Sequence, residues 1–194
     1  MIVVIGSPLG RREADRVVAG GLASLVALEV AGAGRTVQIV GRIGDDAAAD
    51  AVLQDLARGG VSHVAILRDP AHATPIVGSA ATSAGRPEVD GADIELALDY
   101  LTDFAVLIVT DASVASVVSV AARAADWGEA ALIVVRPAGV DVTTSLPTDA
   151  IVLASAADES DGAFASRVGI VAAGLDAGMD RGAALRAPGV RSAG

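Results

Sequence analysis

The sequence contains no cysteine. Disulfides, thiolate metal sites and a cysteine nucleophile are therefore excluded. Aromatic residues make up 2% of the chain, and Phe104, Phe164, Tyr100 and Trp127 are all of them. A formal net charge of −10 accompanies that scarcity. A nucleic acid would be repelled by the charge, and no basic cluster or aromatic row offsets it. Histidine occurs only at His63 and His72. They are well separated, and no neighbouring carboxylate suggests itself as a co-ligand, so a metal site is not expected. Ser7, Ser24 and Ser155 have no paired histidine, which leaves a Ser-His-Asp hydrolase unsupported. No basic leader precedes the first apolar run, so a secretory signal is not expected, and the cytoplasm is the expected location. Residues 17–34 come nearest to a membrane span. They include Glu29 and several glycines, and a buried helix with no membrane partner is the expectation.

What the chain does have is aliphatic. Hydrophobic residues make up 53% of 194. A core of Val, Leu, Ile and Ala suits a sheet buried on both faces. The length implies one domain, expected over residues 1–187, with a flexible tail at 188–194.

In chain order, residues 2–5 read as a strand that ends at Gly6-Ser7-Pro8. Residues 11–16 are charged. Ala19-Gly20-Gly21 leads into a nearly all-apolar helix over 22–31, which Gly32 and Gly34 end. Residues 37–40 and 64–67 read as strands. Residues 69–90, rich in Pro and Gly, read as short strands and turns. The spacing of Ile94, Leu98 and Leu101 predicts a helix. A strand over 104–109 follows, then a helix to about Asp126 capped by Asp111 or Ser113. Residues 132–135 and 151–153 complete the strands, and 161–177 reads as a helix weakened by Gly169 and Gly174. Strands alternating with helices predict a mostly parallel α/β sheet with right-handed crossovers.

Residues 41–61, GRIGDDAAADAVLQDLARGGV, are the most informative stretch. Gly41 and Gly44 mark the exit from a strand. Asp45 and Asp46 stand where a helix begins, and a carboxylate there accepts free backbone N–H groups. Ala49, Val52, Leu53 and Leu56 form one apolar helix face. Gly59-Gly60 ends it, and Val61 starts the return to the sheet. Asp45-Asp46 also has a Mg²⁺-binding reading, against which the helix cap is preferred.

This stretch resembles the N-terminal motif of the PfkB (ribokinase-like) family of carbohydrate and nucleoside kinases. Gly41, Ile43, Gly44, Asp46, Ala49, Leu56, Gly60 and Val61 fill the pattern, with Ile43 for Val and Ala49 for Gly. The resemblance extends to the first strand ending in Gly6-Ser7, to the Gly-Gly-x-x-Asn helix start at Gly20-Gly21, and to Thr74. It continues at a Gly85-Arg86 turn and at the strand over 132–137. It implies a ribokinase-like mostly parallel sheet flanked by helices, with a reduced lid. It also implies Gly20, Gly21, Ser24, Gly44 and Asp46 as substrate contacts for a sugar or nucleoside, and ATP with Mg²⁺ as cofactors of an active member.

The departures bear on activity. Where family members carry a substrate-binding Asp after the first strand, Arg11 stands, and a cation cannot accept a hydroxyl's hydrogen bond. Ser24 replaces the Asn, and Arg136 replaces the Asp of Asp-Pro. The Asn-x-x-Glu segment is reduced to 155–158. The catalytic Gly-Ala-Gly-Asp is absent. Asp161-Gly162-Ala163-Phe164 is its nearest string, in the wrong order, which leaves Asp158 and Asp161 as weak catalytic candidates. Residues 6–20 read as too short for the family's first lid strands. Two functions stand against each other. One is a degenerate, non-catalytic small-molecule-binding or interaction protein (a pseudokinase) without an assigned cofactor. The other is an active ATP-dependent sugar or nucleoside kinase. A homodimer is expected through a hairpin from Thr74 to Val89, whose unpaired strand edges would meet across the two copies.

Overall fold

The computed structural model describes residues 1–79, 87–111, 114–138, 146–187 and 189–190. Its elements in chain order are β1 (Ile2–Ile5), β2 (Leu9–Glu13), β3 (Arg16–Gly20), α1 (Gly21–Gly32), β4 (Val37–Gly44), α2 (Ala47–Arg58), β5 (Ser62–Asp69), α3 (Gly91–Tyr100), β6 (Val106–Val109), α4 (Ala115–Trp127), β7 (Ala131–Arg136), β8 (Ile151–Ala154), α5 (Asp161–Asp176) and α6 (Arg181–Leu185). Six strands form one parallel sheet in the order β5-β4-β1-β6-β7-β8.

Alternation within the strands sends successive side chains to opposite layers. Ile2 and Val4, with Ile39, Ile108 and Ile133, join the layer formed by α1, α2, α5 and α6. Val3 and Ile5, with Val40, Leu107 and Val134, join the layer formed by α3 and α4. The central strands β1 and β6 are buried along their whole length. This two-sided burial is why they read as unbroken Val, Ile and Leu rather than as alternating polar and apolar residues.

Helix α1 is apolar on nearly every side because α5 packs alongside it in the same layer while the sheet lies beneath. Gly169 of α5 lies against Glu29 and Val30 of α1, and a methyl group there would come within 2.9 Å of the Glu29 Cβ. A glycine that weakens a helix locally thus permits close helix–helix contact. Ser160 caps α5 by accepting from the Ala163 amide at 3.3 Å. Helix α4 has Val114 at its N-cap, with no side-chain cap. The N-cap position is thus Val114 rather than Asp111, and Ser113 lies outside the described residues.

Residues 9–20 correct the expectation of a segment too short for lid strands. Strands β2 and β3 pair antiparallel from Leu9↔Gly20 to Glu13↔Arg16, as a separate two-stranded sheet. The tight turn around Ala14 (φ 49°) saves chain length. The hairpin is tied down twice. Asp55 of α2 accepts from the Ala19 amide at 2.9 Å. On the other side, the Gly10 amide donates to the Pro75 carbonyl and the Val77 amide to the Gly10 carbonyl, both at 2.8 Å. The Gly85-Arg86 turn lies outside the described residues, as does the proline opening the expected tail.

The two edges of the main sheet are treated differently. At β8, Arg181 donates to the carbonyls of Asp149 (2.7 Å) and Ala150 (3.1 Å). Arg167 donates to the Ala154 carbonyl at 2.7 Å. Arg167 is itself gripped by Glu159 and lies over the Phe164 ring, 4.8 Å from its centre. Charged groups on an edge strand's carbonyls discourage pairing with another chain. Strand β5, at the other edge, leaves Val64 84% exposed.

Just past the carboxyl end of β1, Gly41 of β4 lies hard against the backbone of Gly6 and Ser7. A methyl group on Gly41 would collide with the Gly6 carbonyl. Gly41→Ala is therefore expected to lower stability by about 1–3 kcal/mol, the usual penalty for forcing atoms into a packed site. The measurement is a urea titration, read as a lower midpoint at unchanged slope. An unchanged midpoint would show that this crossing has room.

Candidate functional site

Strand β1 connects through the hairpin and α1 to β4 on one side, whereas β6 connects through α4 to β7 on the other. The chain thus reverses direction between the neighbouring strands β1 and β6. In open α/β sheets, ligands bind in the crevice outside the carboxyl ends of the strands at such a reversal. Gly6 and Ser7 follow β1 there, and Thr110 and Asp111 follow β6. Arg42 projects from β4, and Arg136 ends β7. In this parallel topology the main helices also begin at this end of the sheet, with their free N–H groups.

The polar groups around the crevice are held by one another. The Thr110 hydroxyl donates to the Ile5 carbonyl at 3.1 Å. Gly6 packs so tightly on Thr110 that a side chain at residue 6 would displace this hydroxyl. Arg42 forks onto Asp93, Nε to Oδ2 at 2.7 Å and Nη2 to Oδ1 at 2.9 Å. Asp93 also completes a capping box with Asp90 at the start of α3. Arg42 lies 3.9 Å from Asp69, which in turn meets His72 Nδ1 at 2.8 Å. The hydrogen bond from His72, followed by that from the Ala71 amide, holds the Asp69 carboxyl below its ordinary range. This corrects the reading of His72 as lacking a carboxylate partner. Among the described residues, no three His, Asp or Glu side chains converge to hold a metal.

Asp46 is the N-cap of α2, as its position predicts. Oδ1 accepts from the Ala49 amide at 2.8 Å and from the Thr74 hydroxyl at 2.7 Å, and Oδ2 accepts from the Thr74 amide at 2.8 Å. Burial pushes its pKa up, but the hydrogen bonds from Thr74 and Ala49 outweigh burial, and the carboxyl titrates below its ordinary value. Asp45 pairs with Arg68 at 3.0 Å. Both carboxylates of the Asp45-Asp46 pair are thus engaged internally, and this donor set does not fit a magnesium ion.

The remaining candidates fall into two groups. Gly20 is the N-cap of α1, and Gly21, at φ +72°, opens the helix against the Leu9 side chain. Ser24 is fully buried in the same helix, and its hydroxyl has no hydrogen-bond partner. Gly44 is pressed against the backbone of residues 72–74 and leaves no space for a side chain, with the His72 carbonyl 2.7 Å from where a Cβ would be. Asp158 and Asp161 lie apart from these, exposed on the turn into α5. Arg42 and Asp93 were not anticipated. Their partnership spans β4 and α3, and nothing in their separation along the chain signals it.

Comparison with known proteins places this architecture. No family model and no curated protein matches the sequence. Solved structures do match. A PfkB protein from Polaromonas sp. JS666 is 14% identical over 98% of this chain and 94% of that one, with a TM-score of 0.70. An aminoimidazole riboside kinase from Salmonella enterica, complexed with aminoimidazole riboside and an ATP analog, is 16% identical over 72% of this chain and 50% of that one (TM-score 0.56). A sugar kinase from Pyrococcus horikoshii is 14% identical over 72% of this chain and 53% of that one (TM-score 0.54). The chain thus spans about half the length of the last two. The molecule is a parallel α/β protein organised around a reversal between β1 and β6. More particularly, it has the ribokinase-like fold.

Replacing Asp46 removes the cap and leaves the buried Thr74 hydroxyl and amide unpaired. Asp46→Ala is expected to lower stability by about 2 kcal/mol at neutral pH. Because the folded-state pKa is depressed, the carboxylate's contribution is fully present above the unfolded value of about 4 and disappears as pH falls through the folded value. Denaturant titrations of wild type and variant from pH 7 to pH 3 should therefore show the difference shrinking toward the acid end. A constant difference over that range would contradict the assignment.

Proposed function

We propose that this chain is a non-catalytic relative of the sugar and nucleoside kinases, which retains the crevice as a binding or interaction site. One observation carries the reading. The groups at the carboxyl end of the sheet that would contact substrate already serve the fold. Asp46 is saturated by Ala49 and Thr74, Arg42 is forked onto Asp93, Gly44 is filled by the backbone of 72–74, and Ser24 is buried. The missing Gly-Ala-Gly-Asp and the cations Arg11 and Arg136 support it further. The ligand class is a sugar or nucleoside, on the analogy of what the structural relatives bind. No phosphoryl-transfer step is derived for this chain.

A second reading, an active ATP-dependent kinase, draws on Asp161. It stands in the first turn of α5, exposed at the end of the helix that packs on α1. A carboxylate there is in solvent and open to act as a base.

A phosphoryl-transfer assay with ATP and Mg²⁺ over a panel of sugars and nucleosides separates the two. The expected outcome is no turnover, together with a raised melting temperature for one or more of the same compounds. Turnover that Asp161→Asn or Asp158→Asn abolishes would establish the kinase instead. The homodimer through Thr74 to Val89 is part of the proposal, because residues 75–77 already extend the hairpin sheet at Gly10. Light scattering at micromolar concentration should give a dimer mass that deletion of residues 75–88 removes, and a monomer mass would refute it.

A further inference from the structure

The chain's only tryptophan and only tyrosine are both on the surface, Trp127 at 93% and Tyr100 at 80% exposure. They end α4 and α3 respectively. These helices run side by side. The Gly91 amide donates to the Ser116 hydroxyl near their starts, and Arg123 bridges to Glu95 at 2.9 Å further along. Just past their ends, the Phe104 ring lies 3.3 Å from where a Cβ on Gly128 would be. The two exposed rings therefore lie at adjoining helix ends. Leu96, one turn before Tyr100 on the same face, is 55% exposed. In a chain with so few aromatics, an exposed pair of the residue types that anchor protein interfaces is not accounted for by packing.

Electrostatics identify the occupant. The negative ends of two helix dipoles meet here, where basic residues are favourable. Neither helix has a basic residue in its last turn. Asp99 and Asp126 stand there instead, and Asp103 and Glu129 follow directly after. Among the described residues, none of these four carboxylates has a basic partner. A second copy of the chain would bring the same negative field against itself. A cation is attracted both by the carboxylates and by the faces of the indole and phenol rings.

We propose that the joined ends of α3 and α4 dock a basic, amphipathic segment of a partner protein, with its Lys or Arg side chains over Trp127 and Tyr100 and its apolar face on Leu96. The site lies at the opposite end of the sheet from the crevice, so it is independent of the ligand reading above.

As the sole tryptophan, Trp127 is a built-in reporter. The probes are an amphipathic lysine–leucine peptide and the same peptide with glutamine for every lysine. The lysine peptide should shift Trp127 emission saturably, and increasing salt should weaken it. The glutamine peptide should produce no shift. By anisotropy of a labelled lysine peptide, Trp127→Ala and the combined Asp99→Asn, Asp126→Asn, Glu129→Gln variant should each bind about tenfold or more weakly. Asp15→Asn with Asp50→Asn, a charge control on the hairpin turn and on α2 in the opposite layer, should bind as wild type does. Three results would overturn the proposal: equal binding by the charge control and the patch variant, binding that leaves Trp127 emission unchanged, or a self-association that Trp127→Ala abolishes. The substituted side chains are exposed, and unchanged far-UV circular dichroism confirms that the variants fold.

Discussion

Water reaches neither face of the central strands. Strands β1 and β6 are buried at every residue, so a polar side chain within them would have to find a partner in an aliphatic layer. This constraint accounts for the aliphatic composition of the strands and for the location of the polar contacts around the main sheet. Polar groups are displaced to the strand ends and to the sheet edges. At the carboxyl ends they become the crevice network. At the β8 edge they become the arginines that occupy the carbonyls just before β8 and at its end. Gln38, buried near the start of β4, sits at a register irregularity with β5, where the ladder itself leaves amides to be met.

The same constraint explains why the crevice is so self-contained. Side chains leaving a dry sheet meet the first turns of the helices, whose free amides need acceptors. Asp46 and Asp93 answer that need, and each then acquires a second duty. Asp46 holds the loop at Thr74. Asp93 neutralises Arg42. A carboxylate satisfied by three donors, or a guanidinium forked onto a carboxylate, is poorly disposed to recognise a substrate.

The helices divide unequally between the faces, with α1, α2, α5 and α6 on one and α3 and α4 on the other. The larger layer is joined by close contacts between small residues, as at Gly169 and Glu29, and it presents few exposed apolar groups. The pair on the opposite face leaves Leu96, Tyr100 and Trp127 in solvent. The two exposed aromatic rings are thus both on this face, whereas Phe164 is buried in the opposite layer.

Much of the fold was legible in the chain itself. Runs of Val and Ile between helical spacings imply a parallel sheet, because only two-sided burial removes the alternation of polar residues. The Asp46 cap was legible for the same local reason: capping depends on residues within one turn. The hairpin of β2 and β3 was not, since charged residues 11–16 show no apolar alternation. Their pairing rests on Asp55 and Pro75, which lie far along the chain. The local partnership of Asp69 with His72, three residues apart, was misread, and the long-range one of Arg42 with Asp93 was invisible, although the residues are plain in the sequence. Charge pairs form between whichever side chains the topology delivers to the same place. That delivery was decided by the reversal between β1 and β6, a property of strand order that no local spacing encodes.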